Sequence, residues 1–231
     1  MSMIQDNLVR ILDRIKQIST RLGRNPDDII LIGVTKFADV AQVKEAVRSG
    51  VVHIGENRVQ EARTRFLALG ELSAQVTKHM IGHLQTNKVK QALEIFDVIQ
   101  SVDSIKLAGA LDAQASKRNK SIDILVQVNA SGEKQKFGVP SSEVVAVIDE
   151  MANFTHLRVQ GLMTIAPLGQ DKNVIRQCFR DLRGLRDQVA EKFTGTANIA
   201  MKYLSMGMTD DFEIALEEGA NMVRIGRAIF Q

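Results

Sequence analysis

The sequence predicts an α/β chain folded as one (β/α)8 TIM barrel. Three observations carry this reading. Apolar, β-branched runs alternate with helix-period segments without a break, eight such strand runs can be counted, and polar residues gather where the runs end. An open doubly wound sheet is the alternative. That architecture more often has fewer strands and a glycine fingerprint at its first βα turn, which Thr35-Lys36-Phe37-Ala38 does not offer.

Before any strand, Ile4, Leu8, Leu12, Ile15, Ile18 and Leu22 recur at three-to-four-residue spacing and predict an amphipathic helix closed by Gly23. Residues 1–24 thus form an N-terminal helix packing on the bottom or flank of the barrel. Asn25-Pro26-Asp27-Asp28 turns the chain into the opening strand, Ile29 to Val34, which stops at Thr35-Lys36. Asp39 caps a helix running to Arg48, Gly50 stops it, and Val51 to Asn57 is the second strand. A helix over 58–69 leads to a third strand from His79 to Leu84. Then follow a helix over 86–96, a fourth strand over 98–103, a helix over 104–118 and a fifth strand over 122–129. Ser141-Ser142-Glu143 opens a helix to 154, and the sixth strand covers 157–165. A helix over 171–193, a seventh strand over 201–206, a helix over 210–218 and an eighth strand over 222–226 complete the series. No stretch rich in Pro, Gly or Ser divides the chain, so residues 1–231 are expected to form one domain.

Composition narrows the class. With 45% hydrophobic residues in 231, the chain can bury a large core. Its net charge of +3 is spread along the helices, giving no arm or stripe of the kind that tracks nucleic acid. No apolar run reaches membrane-span length, and Met1-Ser2-Met3-Ile4-Gln5-Asp6 lacks the order of a signal peptide. The single Cys178 cannot form an internal disulfide; a cytoplasmic location is the expectation. His53, His79, His83 and His156 show no metal-ligand spacing with the cysteine or with carboxylates, so no metal site is assigned.

In a barrel, chemistry belongs at the carboxyl ends of the strands, with a phosphate commonly held after strands seven and eight. The exits read Lys36, Asn57, His83, Ser101 or Asp103, Asn129, Met163-Thr164, Ser205-Met206-Gly207 and Arg224-Ile225-Gly226-Arg227. At the last two, Ser205 offers a hydroxyl, Gly207 and Gly226 allow close backbone approach, and the amides of Gly226 and Arg227 can face an anion. Lys36 stands across the mouth. A strand-end lysine is ordinarily just solvated through its long stem, but opposite an anion site its amine is available for a Schiff base. A ligand with a phosphate at one end and a carbonyl at the other satisfies both, either pyridoxal 5′-phosphate or a phosphosugar. Arg224 favours the first, because a guanidinium beside a pyridine nitrogen keeps that nitrogen unprotonated. His83 reads as a hydrogen-bonded rim histidine, and Lys134 and Lys136, after strand five, as solvated.

Seven motifs together resemble the YggS/PROSC family of pyridoxal phosphate homeostasis proteins. They are Thr35-Lys36, Gly55-Glu56-Asn57-Arg58-Val59-Gln60-Glu61, Ile81-Gly82-His83-Leu84-Gln85-Thr86-Asn87-Lys88, Lys136-Phe137-Gly138, Gly161-Leu162-Met163, Ser205-Met206-Gly207-Met208 and Val223-Arg224-Ile225-Gly226. The resemblance implies a barrel like the N-terminal domain of alanine racemase, with pyridoxal phosphate as a Schiff base on Lys36. It further implies that Ser205, Gly226 and Arg227 hold the phosphate, that the ring nitrogen faces Arg224, and that Asn57 and His83 line the pocket. Departures are Thr35 where the family has Ser, Phe37 where it has Thr, Lys78-His79 where it has Trp-His, and an ending Ala228-Ile229-Phe230-Gln231 where a glycine and short tail are usual.

Two roles follow. One is a carrier that takes part in intracellular pyridoxal phosphate homeostasis and delivers the cofactor to apo enzymes, with no catalytic residue assigned. The other is an amino-acid racemase-type enzyme, which needs a second acid/base group opposite the lysine; the one tyrosine, Tyr203, precedes the exit of strand seven. A lysine aldolase acting on a phosphosugar is a third possibility, with Asp103 the strand-end carboxylate it would draw on. The carrier is the favoured expectation.

Overall fold

A computed structural model describes residues 2–133, 135–167 and 169–231. The strands β1 (Ile30–Val34), β2 (His53–Glu56), β3 (Thr77–Met80), β4 (Val98–Val102), β5 (Ile122–Asn129), β7 (Leu157–Met163), β8 (Ile199–Ser205) and β9 (Met222–Ile225) pair in parallel in that order. β1 also pairs with β9, Ile30 opposite Met222 and Ile32 opposite Arg224, which closes an eight-stranded barrel. A two-residue strand β6 (Val139–Pro140) pairs with the end of β5 outside the barrel wall. Between the strands lie α2 (Val40–Arg48), α3 (Val59–Leu69), α4 (Val89–Ala92), α5 (Ile105–Ser116), α6 (Val144–Met151), α7 (Lys172–Lys192) and α8 (Phe212–Glu217). The N-terminal α1 (Met3–Arg21) precedes the barrel, and a last turn, α9 (Arg227–Phe230), follows it.

Local chemistry explains the punctuation. Asp39 and Gln42 form a reciprocal capping box at the start of α2, each side chain bonding the other's backbone N–H. Helix α1 buries Ile4, Leu8, Ile11, Ile15 and Ile18, spaced 4, 3, 4 and 3, against α2, α8 and α9. Full burial of such side chains stabilises by about 2 kcal/mol each. Leu12 and Leu22, expected on this stripe, are exposed. At 100° per residue Leu12 falls beside the stripe and Ile11 takes the inner position, while Leu22 is the C-cap beyond the last helical residue, Arg21.

The third strand also differs from expectation. It ends at Met80, so Ile81 to Leu84 lie beyond it. Gly82 crosses the end of β2 so closely that a Cβ there would sit 2.2 Å from the carbonyl oxygen of Asn57. The helix expected over 86–96 contracts to a tight turn followed by the single turn of α4.

Two apolar regions result. A large one fills the space between the strands and the helical shell, and a small one inside the barrel joins Ile32, Leu125, Met163 and Met222. Cys178 is buried in α7, and burial pushes its thiol up to about 11. Among the described residues no helix is long and apolar enough to cross a membrane.

Candidate functional site

The carboxyl ends of the barrel strands open into a cavity of about 380 Å³. Lys36 enters it from the loop after β1, Asn57 from the exit of β2, and Met208 and Thr209 from the loop after β8. Arg224 enters from within β9, with Gly226 and Arg227 from the chain just beyond. Ile81, Ile165, Ile175 and Phe230 supply apolar wall. Lys36 and the β8 and β9 exits thus share one cavity, but β1 pairs directly with β9, so the lysine loop lies beside the β9 exit and not across the mouth from it.

Lys36 is exposed, and its Nζ lies 4.7 Å from the Phe37 ring centroid. The loop that carries it is pinned on both sides. Before the lysine, buried Thr35 donates its hydroxyl to Glu56; after it, the Ala38 carbonyl accepts from Arg65 Nη1 at 2.6 Å. Arg65 Nε completes the clamp 2.6 Å from the same Glu56 oxygen. Burial raises the Glu56 carboxyl above the usual carboxylate range, while its bond to Thr35 and the charge of Arg65 pull it back.

Arg224 is buried, and loss of solvent lowers its pKa to about 10, opposed by the charge of Asp211. It therefore remains a cation at neutral pH. Its Nη1 donates to Ser205 Oγ at 2.7 Å and its Nη2 to the Thr164 carbonyl at 2.8 Å. Asp211, itself raised by burial, accepts from the Met208 backbone and so folds the loop after β8. Gly207 opens that loop at φ +90°, where a Cβ would lie 2.5 Å from that of Ala215.

Several predicted residues sit elsewhere. Ser205 is fully buried behind the cavity, its hydroxyl occupied by Arg224 and Gln100. The hydroxyl that lines the cavity is that of Thr209, four residues on, which also accepts weakly from the Ala228 amide at 3.5 Å. Gly207 shapes the loop without lining the cavity. Arg227 does line the cavity, but its side chain is exposed and paired with Asp210. His83 is outside the cavity lining; its Nδ1 is 3.1 Å from Asp103 Oδ2 and its ring stacks on Phe137 at 3.9 Å between centroids. Lys136 pairs with Glu133 at 2.9 Å, and Lys134 lies outside the described residues.

Asn57 supplies the observation that points to a ligand. The residue lines the cavity, and its buried Oδ1 has no hydrogen-bond partner among the described residues. Buried acceptors are nearly always paired, which makes this group a candidate to accept from a bound molecule.

Residues 7–231 match the alanine racemase N-terminal domain model. A pyridoxal phosphate homeostasis protein of Aquifex aeolicus is 38% identical, the alignment covering 97% of this chain and 96% of that one. The chain belongs to this family. The resemblance drawn from the motifs therefore extends along nearly the whole chain. A crystal structure of a Bifidobacterium adolescentis protein superposes with a TM-score of 0.93 at 36% identity, covering 99% of this chain and 94% of that one. PipY of Synechococcus elongatus, solved with pyridoxal phosphate bound, superposes at 0.82 and 32% identity, covering 94% of this chain and 100% of PipY. The fold expected from the alternation of strands and helices, including the helix before the first strand, is that of the family.

Proposed function

We propose that this protein binds pyridoxal 5′-phosphate in the cavity, tethers it as a Schiff base to Lys36, and serves as a carrier in cofactor homeostasis without turnover. The observation that carries the reading is the convergence on one cavity of an exposed lysine, a buried arginine and the unpaired Asn57 acceptor. The cofactor-bound PipY structure, on a fold this close, supports the identity of the ligand.

The residues fit such a ligand end to end. Lys36 offers the amine for the aldehyde, held at a fixed place by the Glu56–Arg65 clamp. Thr209 and the backbone of Gly226 and Arg227 offer donors for a phosphate on the β8–β9 side of the same cavity. Arg224, with no acceptor atom and a charge it keeps at neutral pH, faces a ring nitrogen and leaves it unprotonated. When bound, pyridoxal phosphate acts as an electron sink for carbanions, and it does so best with a protonated ring nitrogen. An arginine in that position favours holding the cofactor over driving proton abstraction. Asn57 Oδ1 accepts from the bound molecule, and the apolar wall limits water beside the Schiff base.

Borohydride reduction of the loaded protein followed by peptide mapping tests the tether. A label on Lys36, lost in Lys36→Ala together with visible absorbance, is the expected result; labelling elsewhere would overturn it. For the carrier role, transfer of cofactor to an apo enzyme should proceed while the Cα proton of alanine shows no exchange with D2O. Exchange that disappears in Lys36→Ala would restore the racemase reading.

A further inference from the structure

A file of polar side chains, buried apart from the half-buried His53 at its start, runs through the barrel from its amino end to the cavity. His53 Nδ1 is 3.0 Å from His79 Nε2, and His79 Nδ1 is 3.0 Å from Gln100 Nε2. Gln100 Oε1 is 2.6 Å from Ser205 Oγ, which is 2.7 Å from Arg224 Nη1. The five residues come from β2, β3, β4, β8 and β9, so only barrel closure brings them into line.

The direction of every bond follows from one end. A guanidinium can only donate, so Ser205 Oγ accepts from Arg224. The serine hydroxyl hydrogen then needs an acceptor, and Gln100 Oε1 takes it. This places the glutamine NH2 against His79 Nδ1, which must accept, leaving its proton on Nε2 and aimed at His53 Nδ1. Turning the amide of Gln100 over would strand the serine hydrogen without a partner inside the barrel. Both imidazoles are thereby neutral, with Nε2 protonated.

We propose that Gln100 and His79 are positioning residues for Arg224: they hold the Ser205 hydroxyl in the one orientation that receives the guanidinium and aims its remaining N–H groups into the cavity. This deepens the cofactor reading and rests on it for the identity of what Arg224 meets. The anchoring itself is a property of the protein without ligand.

The test begins with the protein free of cofactor. Long-range 15N–1H spectra of the histidine rings should show His79 as the Nε2–H form; an Nδ1–H ring in the unsubstituted protein would overturn the direction assigned. Gln100→Leu removes the amide's bonds to Ser205 and His79, with its weak contact to the Met222 sulfur, while keeping much of its bulk. It should shift or broaden the Arg224 guanidinium signals and weaken pyridoxal phosphate about tenfold, the loss of roughly one hydrogen bond. Gln100→Glu keeps an acceptor for Ser205 but offers none of the hydrogen that His79 Nδ1 requires. It should therefore protonate His79 at Nδ1 while restoring the Arg224 signals and most of the affinity. Unchanged Arg224 signals in a folded Gln100→Leu protein, or a Gln100→Glu protein no better than it, would refute the positioning role. If the expected tautomer and guanidinium shifts are seen but no variant binds pyridoxal phosphate, the cofactor reading fails and the anchoring stands.

Discussion

Thr35 and Glu56 meet behind the lysine loop, the buried threonine hydroxyl donating to a carboxylate that has no exposure of its own. The strand that delivers Lys36 is thereby tied to the strand that delivers Asn57. Arg65 neutralises the carboxylate and reaches past it to the Ala38 carbonyl.

Removing the cation from this clamp should be costly. Arg65→Met leaves Glu56 buried without its partner, a change that typically costs about 3–5 kcal/mol. Urea denaturation of the cofactor-free protein measures it. A loss under about 1 kcal/mol would mean that the pair contributes no more than a surface bridge.

Thr209 and Ser205 should separate in their effects. Thr209→Val is expected to weaken pyridoxal phosphate more than unphosphorylated pyridoxal, because its hydroxyl lines the cavity. Ser205→Ala acts through Arg224 and should weaken both ligands alike. Fluorescence or absorbance titration of the two ligands gives the comparison, and the reverse ranking would return the phosphate to Ser205.

Acid sensitivity has a specific source. Burial and the neighbouring His53 push the pKa of His79 down to about 3, whereas in the unfolded chain it is about 6.5. Between these values the unfolded state binds a proton that the folded state refuses. Stability therefore falls as pH drops through that window, by up to about 1.4 kcal/mol per pH unit from this group. His53, also lowered by burial, adds in the same direction. Glu56 and Asp211 are raised and offset the loss, since the folded protein takes up their protons first. Denaturation curves from about pH 7 to about pH 5 should show a shallower decline in His79→Gln than in the unsubstituted protein; equal slopes would remove His79 as the cause.

Gly82→Ala should disturb the site from a distance. The added methyl would meet the main chain of Asn57 at 2.2 to 2.8 Å, so one of the two segments must move. Weaker cofactor binding with a lowered melting temperature is expected, and an unaltered affinity would show that the Asn57 acceptor is not part of the pocket's grip.

Much of the fold was legible because strands buried on both faces leave unbroken apolar runs, and β5 spans the very residues, 122–129, that its run marks. The lysine, Asn57 and the β9 exit were legible from their places at strand ends. The end of β3 was not, since Ile81-Gly82-His83-Leu84 continues the apolar pattern while the close crossing at Gly82 takes the chain out of the sheet. Ser205 was read as a cavity hydroxyl because a strand's last residue can face either way; its alternation with Tyr203, which packs inside the barrel, gives the inward face. The file from His53 to Arg224 has no local signature, as its members lie on five strands separated by up to 105 residues between bonded partners.

The buried position of Cys178 has a bearing on how the chain meets a reactive aldehyde. Pushed up to about 11, the chain's one thiol is almost wholly in its unreactive protonated form at neutral pH. Thiols capture aldehydes and oxidise in company, and burial keeps Cys178 out of both reactions. Pyridoxal phosphate binding should accordingly be insensitive to mild oxidants and to alkylating reagents that silence exposed cysteines.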